Sequence, residues 1–134
     1  MKRNAHLVTW SLYFWTGLML VLSSLPGDEI PEVSIWQWDK IAHSAGFFVL
    51  GILLFRYLWM RRGKTLDGSF WSCLVIGFLY GGLDELHQLF IPNRECSWQD
   101  FLADCIGVFA GAVIIRYYYQ KRPRNAQPEN IINH

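Results

Sequence analysis

Charged residues are scarce in this sequence, and long stretches contain none. Asp, Glu, Lys and Arg make up 17% of its 134 residues, against roughly 25% in an average soluble domain. No charged residue occurs from Leu7 to Gly27. A run of about 20 uncharged residues is what a helix needs to cross ~30 Å of hydrocarbon. The shortage of charge therefore predicts a membrane protein.

Several common signatures of chemistry are also missing. The sequence has 3 cysteines and no CxxC pair, which indicates neither a disulfide framework nor a zinc site. It contains no phosphate-binding glycine motif, no HExxH and no Gly-x-Ser-x-Gly. A length of 134 residues allows a single domain. These patterns identify no cofactor.

Four runs poor in charge are long enough to span a membrane. They predict helices over about 7–25, 41–60, 69–91 and 101–119. We therefore predict an all-α fold, a four-helix transmembrane bundle within one domain over residues 1–120. The basic start MKRN also fits a signal peptide, but the first run exceeds the usual ~7–15 apolar residues and no small-x-small cleavage site stands out. We expect the first helix to remain as an anchor.

The basic residues predict how the bundle is oriented. Of the 12 Lys and Arg residues, all but Lys40 and Arg94 lie near the N-terminus, the second connection or the C-terminus. Because short loops rich in Lys and Arg stay in the cytoplasm, we expect a multi-pass protein of the cell membrane with both termini cytoplasmic. Residues 121–134 are basic and broken by prolines, so we expect a disordered cytoplasmic tail. Without a folded basic domain, we expect no nucleic-acid partner.

Polar and small residues form stripes along three of the predicted helices, most clearly where the third reads YGGLDELHQLF. Residues spaced three, four and seven apart share one helix face. The stripes are Asp39, His43 and Gly46 in the second helix; Gly77, Gly81, Asp84 and Gln88, with Glu85 beside them, in the third; and Asp100, Asp104, Gly107 and Gly111 in the fourth. Small residues let helices approach closely in lipid, so both glycine pairs are predicted helix contacts.

All three stripes reach the predicted outer face, which predicts one polar pocket that opens outward. A carboxylate exposed at the depth of Glu85 would cost a few kcal/mol in hydrocarbon. Such a residue faces the bundle interior or water, and its partner should be nameable. The available cationic partners are Lys40, Arg94 and a protonated His43.

Three ordered blocks of this sequence resemble the VanZ-like family, small bacterial membrane proteins named for a teicoplanin-resistance protein. They are WDKIAHSAGFFVLG at 38–51, YGGLDELHQLFIPNRECSWQD at 80–100 and DFLADCIGVFAG at 100–111. The family pattern is Asp-Lys-x-x-His, Glu-x-x-Gln-x-x-x-x-x-Arg and Asp-x-x-x-Asn-x-x-Gly. This chain departs from it at Asp104, where Asn is usual, and so adds a possible negative charge. The resemblance implies a role like that of a resistance factor against a lipidated glycopeptide.

The candidate site residues carry different possible roles. Glu85 and His43 are the candidate catalytic residues, and the candidate binding residues are Asp39, Lys40, Gln88, Arg94, Asp100 and Asp104. Simpler roles stay open: Asp39 and Asp100 as helix caps, Lys40 as a snorkelling residue, and Arg94 as the charge partner of Glu85 or as an anion anchor. Asp84 and His87 are weaker candidates, because they point to other sides of the helix from Glu85. Carboxylates with His43 suit a hard divalent cation, but the spacing specifies no geometry, so we assign no metal ligand.

Three classes of function fit these residues. The first is a protein that binds an amphiphile, lipid-linked or lipidated, at the outer leaflet, with membrane lipids as its other partners. The second is an enzyme acting on a lipid-linked envelope intermediate, with Glu85 as general base and His43 as proton shuttle. The third is a structural membrane subunit whose polar cluster organises the fold. We favour the first, in cell-envelope protection or teicoplanin-type resistance.

Overall fold

The computed structural model describes residues 2–26, 36–94 and 96–121, with side chains for 5–26, 40–94 and 96–121. This part of the chain forms four helices and no strand: α1 (Lys2–Ser23), α2 (Trp36–Arg62), α3 (Leu66–Gln88) and α4 (Trp98–Gln120). Each helix contains a segment long and apolar enough to cross a membrane. The predicted all-α fold with four membrane-spanning helices is therefore confirmed. The part of the predicted tail beyond Lys121 is outside the described residues.

The helices differ from the predicted ranges mainly at their ends. An uncharged run marks only the part of a helix that lipid would cover, and the helix continues into polar residues on either side. Polar side chains cap the N-termini of two helices. At α3, Thr65 Oγ1 accepts a hydrogen bond from Gly68 N, and at α4, Ser97 Oγ accepts one from Asp100 N. Helix α3 ends at Gln88, earlier than predicted, and turns precede Arg94.

Glycines bring α2 and α4 together in the most extensive helix contact of the described bundle. A Cβ atom on Gly107 would run into the carbonyl oxygen of Ser44, and one on Gly111 into that of Phe48. On the facing helix, a Cβ on Gly51 would lie 2.6 Å from the carbonyl oxygen of Val108. Backbones this close leave no room for a side chain, so the predicted contact of Gly107 and Gly111 is confirmed.

Helix α3 packs against α4 through its own glycine pair. A Cβ on Gly77 would lie 2.6 Å from Cγ1 of Val108, and one on Gly81 would lie 3.2 Å from Cβ of Asp104. This confirms the predicted contact of Gly77 and Gly81. The close approach also places the polar last turns of α3 beside the first turns of α4.

Helix α1 is held more loosely than the other three. Only 11% of its apolar window is buried, against 28–33% for the other helices. Two long-range hydrogen bonds attach it: Trp15 Nε1 donates to Gly46 O at 3.0 Å, and the Tyr80 hydroxyl donates to Thr16 O at 3.2 Å. Between these anchors and the end of α1, a groove separates α1 from α2.

Candidate functional site

Buried ionisable side chains gather at one end of the bundle, where α2 and α4 begin and α3 ends. We call this group the polar cluster; its members are Lys40, His43, Asp84, Glu85, Gln88, Asp100 and Asp104. Five of them have a relative exposure of 7% or less: Asp84, Glu85, Gln88, Asp100 and Asp104. The cluster joins most of the candidate residues predicted from the sequence. Asp39 lies in α2, but its side chain is outside the described residues.

His43 lies between two carboxylates from different helices. Its Nδ1 is 3.1 Å from Oδ1 of Asp104 on α4 and 4.0 Å from Oε1 of Glu85 on α3. Asp104 is fully buried, and Glu85 is 3% exposed. The imidazole can therefore exchange a proton with Asp104 directly, since their atoms are within hydrogen-bond distance.

The carboxylates of Glu85 and Asp104 each have one oxygen atom without a hydrogen-bond partner among the described residues. Oε2 of Glu85 accepts a 2.7 Å hydrogen bond from the backbone N–H of Ser97. Oε1 of Glu85 and Oδ2 of Asp104 are buried and accept no hydrogen bond from any described residue. A buried acceptor left without a partner costs roughly 1–3 kcal/mol, and more when it is charged. Such atoms in a native fold need an explanation, and a bound ion is one of the recognised ones.

Lys40 and Asp100 form the ion pair of the cluster. Nζ of Lys40 lies 2.7 Å from Oδ1 of Asp100, between α2 and α4. The capping role considered for Asp100 is wrong, because Ser97 is the N-cap and Asp100 lies in the first turn. The capping role considered for Asp39 is wrong too, because α2 already begins at Trp36.

Asp84, a weaker candidate from the sequence, also belongs to the buried cluster. Asp84 is buried, and its Oδ2 accepts a 3.4 Å hydrogen bond from Nε2 of Gln88, one turn further along α3. Asp84 and Glu85 point in different directions, as predicted, but both directions are inside the bundle. Helix α3 packs against both α2 and α4, and more weakly against α1, so two adjacent residues can both be buried.

Arg94 is not the charge partner of Glu85. Its Nε donates to the carbonyl oxygen of Leu25 at the end of α1, at 3.3 Å. Among the described residues, His43 is the only side chain able to carry a positive charge within 4.0 Å of the Glu85 and Asp104 carboxylates. The pairing of Arg94 with Glu85 is therefore not observed, and the anion-anchor role remains a prediction.

The groove beside α1 has a volume of about 640 Å³ and a lining that is mostly apolar. Its apolar lining comes from α1, the residues that follow it, and α2: Trp15, Leu18, Met19, Leu22, Leu25, Ala42, Ala45, Gly46, Phe47 and Val49. Its polar lining consists of Ser23, His43, Asp84 and Arg94. The α1 residues of the groove have no signal in the sequence, since α1 carries no polar stripe to reveal which face meets α2.

A family model described as VanZ/LLP1 matches residues 4–119, nearly the whole chain. The chain therefore belongs to the VanZ/LLP1 family, as its three sequence blocks indicated. No curated protein and no solved structure matches it.

Proposed function

We propose that this VanZ/LLP1 protein binds an amphiphile at the outer leaflet of the cell membrane, with the apolar tail in the groove and the polar head at the cluster. The biological role we infer is cell-envelope protection, including resistance to teicoplanin-type glycopeptides, through recognition of a lipid-linked or lipidated ligand. The observation that carries this proposal is the groove itself, whose mostly apolar lining also includes His43, Asp84 and Arg94.

The walls of the groove suit a hydrocarbon tail. Binding sites for small molecules are typically concave and mostly apolar, with a few polar groups that orient the ligand. A volume of about 640 Å³ lies within the common range of roughly 300–1,000 Å³ for such sites. Because α1 packs loosely, a lipid could enter sideways from the bilayer between α1 and α2.

The polar end of the groove suits an anionic head group that also carries hydrogen-bond donors. The guanidinium of Arg94 matches phosphate or carboxylate geometry, and one of its nitrogens is already positioned by Leu25 O. His43 can donate to the same anion, while Asp84 can accept from a hydroxyl or amide. A phosphorylated prenyl lipid and a lipidated glycopeptide both offer these groups next to an apolar chain.

The orientation of the site follows from the charges at the opposite end. Basic residues at that end include Arg61, Arg62, Lys64, Arg116 and Lys121, whereas only Lys40 and Arg94 are near the polar cluster. With the basic end in the cytoplasm, the cluster faces outward, where cell-wall intermediates and antibiotics are exposed.

A pair of glycine substitutions tests the binding site. Gly46 lines the groove, and a Cβ there would meet only Met19 Cε at 3.7 Å, so Gly46→Leu should fold and fill the channel. Gly17→Leu is the matched control, because a Cβ on Gly17 meets nothing within 4 Å and the residue does not line the groove. We expect Gly46→Leu to weaken binding of undecaprenyl phosphate or teicoplanin to the purified protein at least tenfold, and Gly17→Leu to leave it unchanged.

Isothermal titration in the same detergent measures both affinities. Unlipidated vancomycin serves as the ligand control and should bind more weakly than teicoplanin. Equal affinities for the wild type and Gly46→Leu, or no binding of either lipid-bearing probe by the wild type, would contradict the proposal.

Catalysis is the second candidate function, and the position of His43 favours it. His43 touches the groove and lies 3.1 Å from the buried Asp104, an arrangement suited to proton transfer. Glu85 does not line the groove, so in this scheme it would position His43 rather than act on the substrate itself. Mass spectrometry of the lipid probe after prolonged incubation separates the two functions, because a binder returns the probe unchanged and an enzyme yields a product.

A further inference from the structure

We propose that His43, Glu85 and Asp104 bind a divalent metal ion of the first transition row, Zn²⁺ or Mn²⁺, at the deep end of the polar cluster. This inference does not depend on the proposed amphiphile function. It rests on the geometry of the three side chains, on their unsatisfied oxygens and on the charge that they bury.

The geometry already approximates a coordination sphere. One nitrogen of His43 and one oxygen from each carboxylate lie within 4.8 Å of one another. Ligands about 2.0–2.2 Å from a zinc ion are separated by roughly 3–4 Å, and the distances from His43 Nδ1 to Asp104 Oδ1 and Glu85 Oε1 are 3.1 and 4.0 Å. Only small movements of the Glu85 side chain are needed to close the sphere around an ion.

Unsatisfied oxygen atoms point to a missing partner. Oε1 of Glu85 is directed toward His43, yet this atom and Oδ2 of Asp104 accept no hydrogen bond from the described residues. Both side chains are more than nine-tenths buried. A metal ion between the three groups would satisfy oxygens that nothing else in the described part of the chain reaches.

The charge balance favours a dication. The triad buries two carboxylates, with Asp84 and Asp100 also buried in the cluster, and His43 can contribute at most one positive charge. The nearest lysine, Lys40, lies 2.7 Å from Asp100, a carboxylate outside the triad. A divalent ion compensates Glu85 and Asp104 together while His43 stays neutral, which is the state in which imidazole binds metals.

The surroundings hold the three ligands in place. Ser97 N–H donates to Oε2 of Glu85, the kind of outer-shell hydrogen bond that orients a ligating carboxylate. Asp104 is fixed by the close packing of Gly81 against its Cβ. Three protein ligands leave a further coordination position for water or an anion, and His43 also lines the groove, which gives the ion a route from solvent.

The donor set selects the class of metal. Carboxylate oxygens alone favour Mg²⁺, Ca²⁺ and Mn²⁺, whereas imidazole favours Zn²⁺ and other late metals. One imidazole with two carboxylates therefore favours Zn²⁺ and Mn²⁺ over Ca²⁺. Titrations with the three ions separately test this order.

The test uses the full chain, untagged and stripped with a chelator in detergent. We expect the wild type to bind about one Zn²⁺ or Mn²⁺ per chain, measured by elemental analysis after dialysis and by the electron paramagnetic resonance signal of Mn²⁺. Glu85→Gln and Asp104→Asn should each weaken binding by at least tenfold, since even loss of an outer-shell partner costs roughly 10–100-fold. Asp67→Asn is the control, because Asp67 is exposed at the opposite end of the bundle, and it should bind like the wild type.

Melting temperatures with and without metal distinguish a loss of metal binding from a loss of folding. Saturating metal should raise the melting temperature of the wild type and of Asp67→Asn, and should raise that of Glu85→Gln and Asp104→Asn little or not at all. Asp104→Asn replaces the carboxylate with the amide usual in the family pattern, so it should fold. The proposal is overturned if the wild type binds neither ion, or if Glu85→Gln and Asp104→Asn bind as tightly as Asp67→Asn.

Discussion

At the end of the bundle that carries Arg61, Arg62 and Arg116, the carboxylate of Asp67 stays at the surface and aromatic rings fill the interior. Trp59 and Tyr119 pack there with ring centroids 3.8 Å apart, and in the Arg116–Asp67 ion pair the two side chains are 33% and 73% exposed. The opposite end buries Asp84, Glu85, Asp100 and Asp104. One end is therefore packed with apolar rings, while the other accepts the cost of buried charge, which in a membrane protein makes it the candidate functional site.

Removing a packed ring should give the largest loss of stability. Trp59 is 3% exposed, so we expect Trp59→Ala to lower the unfolding free energy by about 3–5 kcal/mol. Trp71→Ala is the matched control, because Trp71 is 65% exposed on the outside of α3, and it should change stability by about 0.5 kcal/mol or less. Denaturant unfolding in one detergent measures both. Equal losses for the two variants would show that this end is not a packed core.

The ion pair of the polar cluster should have an intermediate effect. Lys40→Met strands the buried carboxylate of Asp100, and we expect a loss of about 1–3 kcal/mol, below the 3–5 kcal/mol of a fully buried pair, because the Lys40 side chain is 23% exposed. Adding Asp100→Asn should recover part of the loss, as a double-mutant cycle would measure.

The Arg116–Asp67 ion pair, at the opposite end of the bundle, is the comparison for the Lys40–Asp100 double-mutant cycle. The Asp67 side chain is 73% exposed, so Asp67→Asn should change the unfolding free energy by only about 0–1 kcal/mol. A larger effect at Asp67 than at Lys40 would reverse the contrast between the two ends.

Much of the fold follows from simple patterns in the chain. Four helices could be predicted because a membrane requires about 20 uncharged residues per span. The contacts of Gly77, Gly81, Gly107 and Gly111 could be predicted because helical periodicity places each pair on one face. The meeting of His43 with Glu85 and Asp104 followed from three stripes that end at the same side.

Other features depend on tertiary packing and have no local signal. Asp84 is buried because α3 has neighbours on two sides, which its own sequence does not reveal. The groove exists because Trp15 attaches α1 to Gly46 at one point and leaves the adjoining surface open. The position of Arg94 depends on the turn before it, where Asn93 adopts a positive φ of 57°. Asn is one of the residues that favour this conformation, but the residue type alone does not tell where the turn directs Arg94.

The most direct test of the central claim, that the polar end serves a ligand rather than the fold, is the melting temperature of Glu85→Gln. Wild type and variant are compared in one detergent with a chelator present, so that no metal contributes. Glutamine keeps an oxygen that can accept from Ser97 N–H and removes a buried charge, so we expect an equal or higher melting temperature. A much lower melting temperature would mean that Glu85 is a structural ion-pair partner of His43 and that the polar end serves the fold.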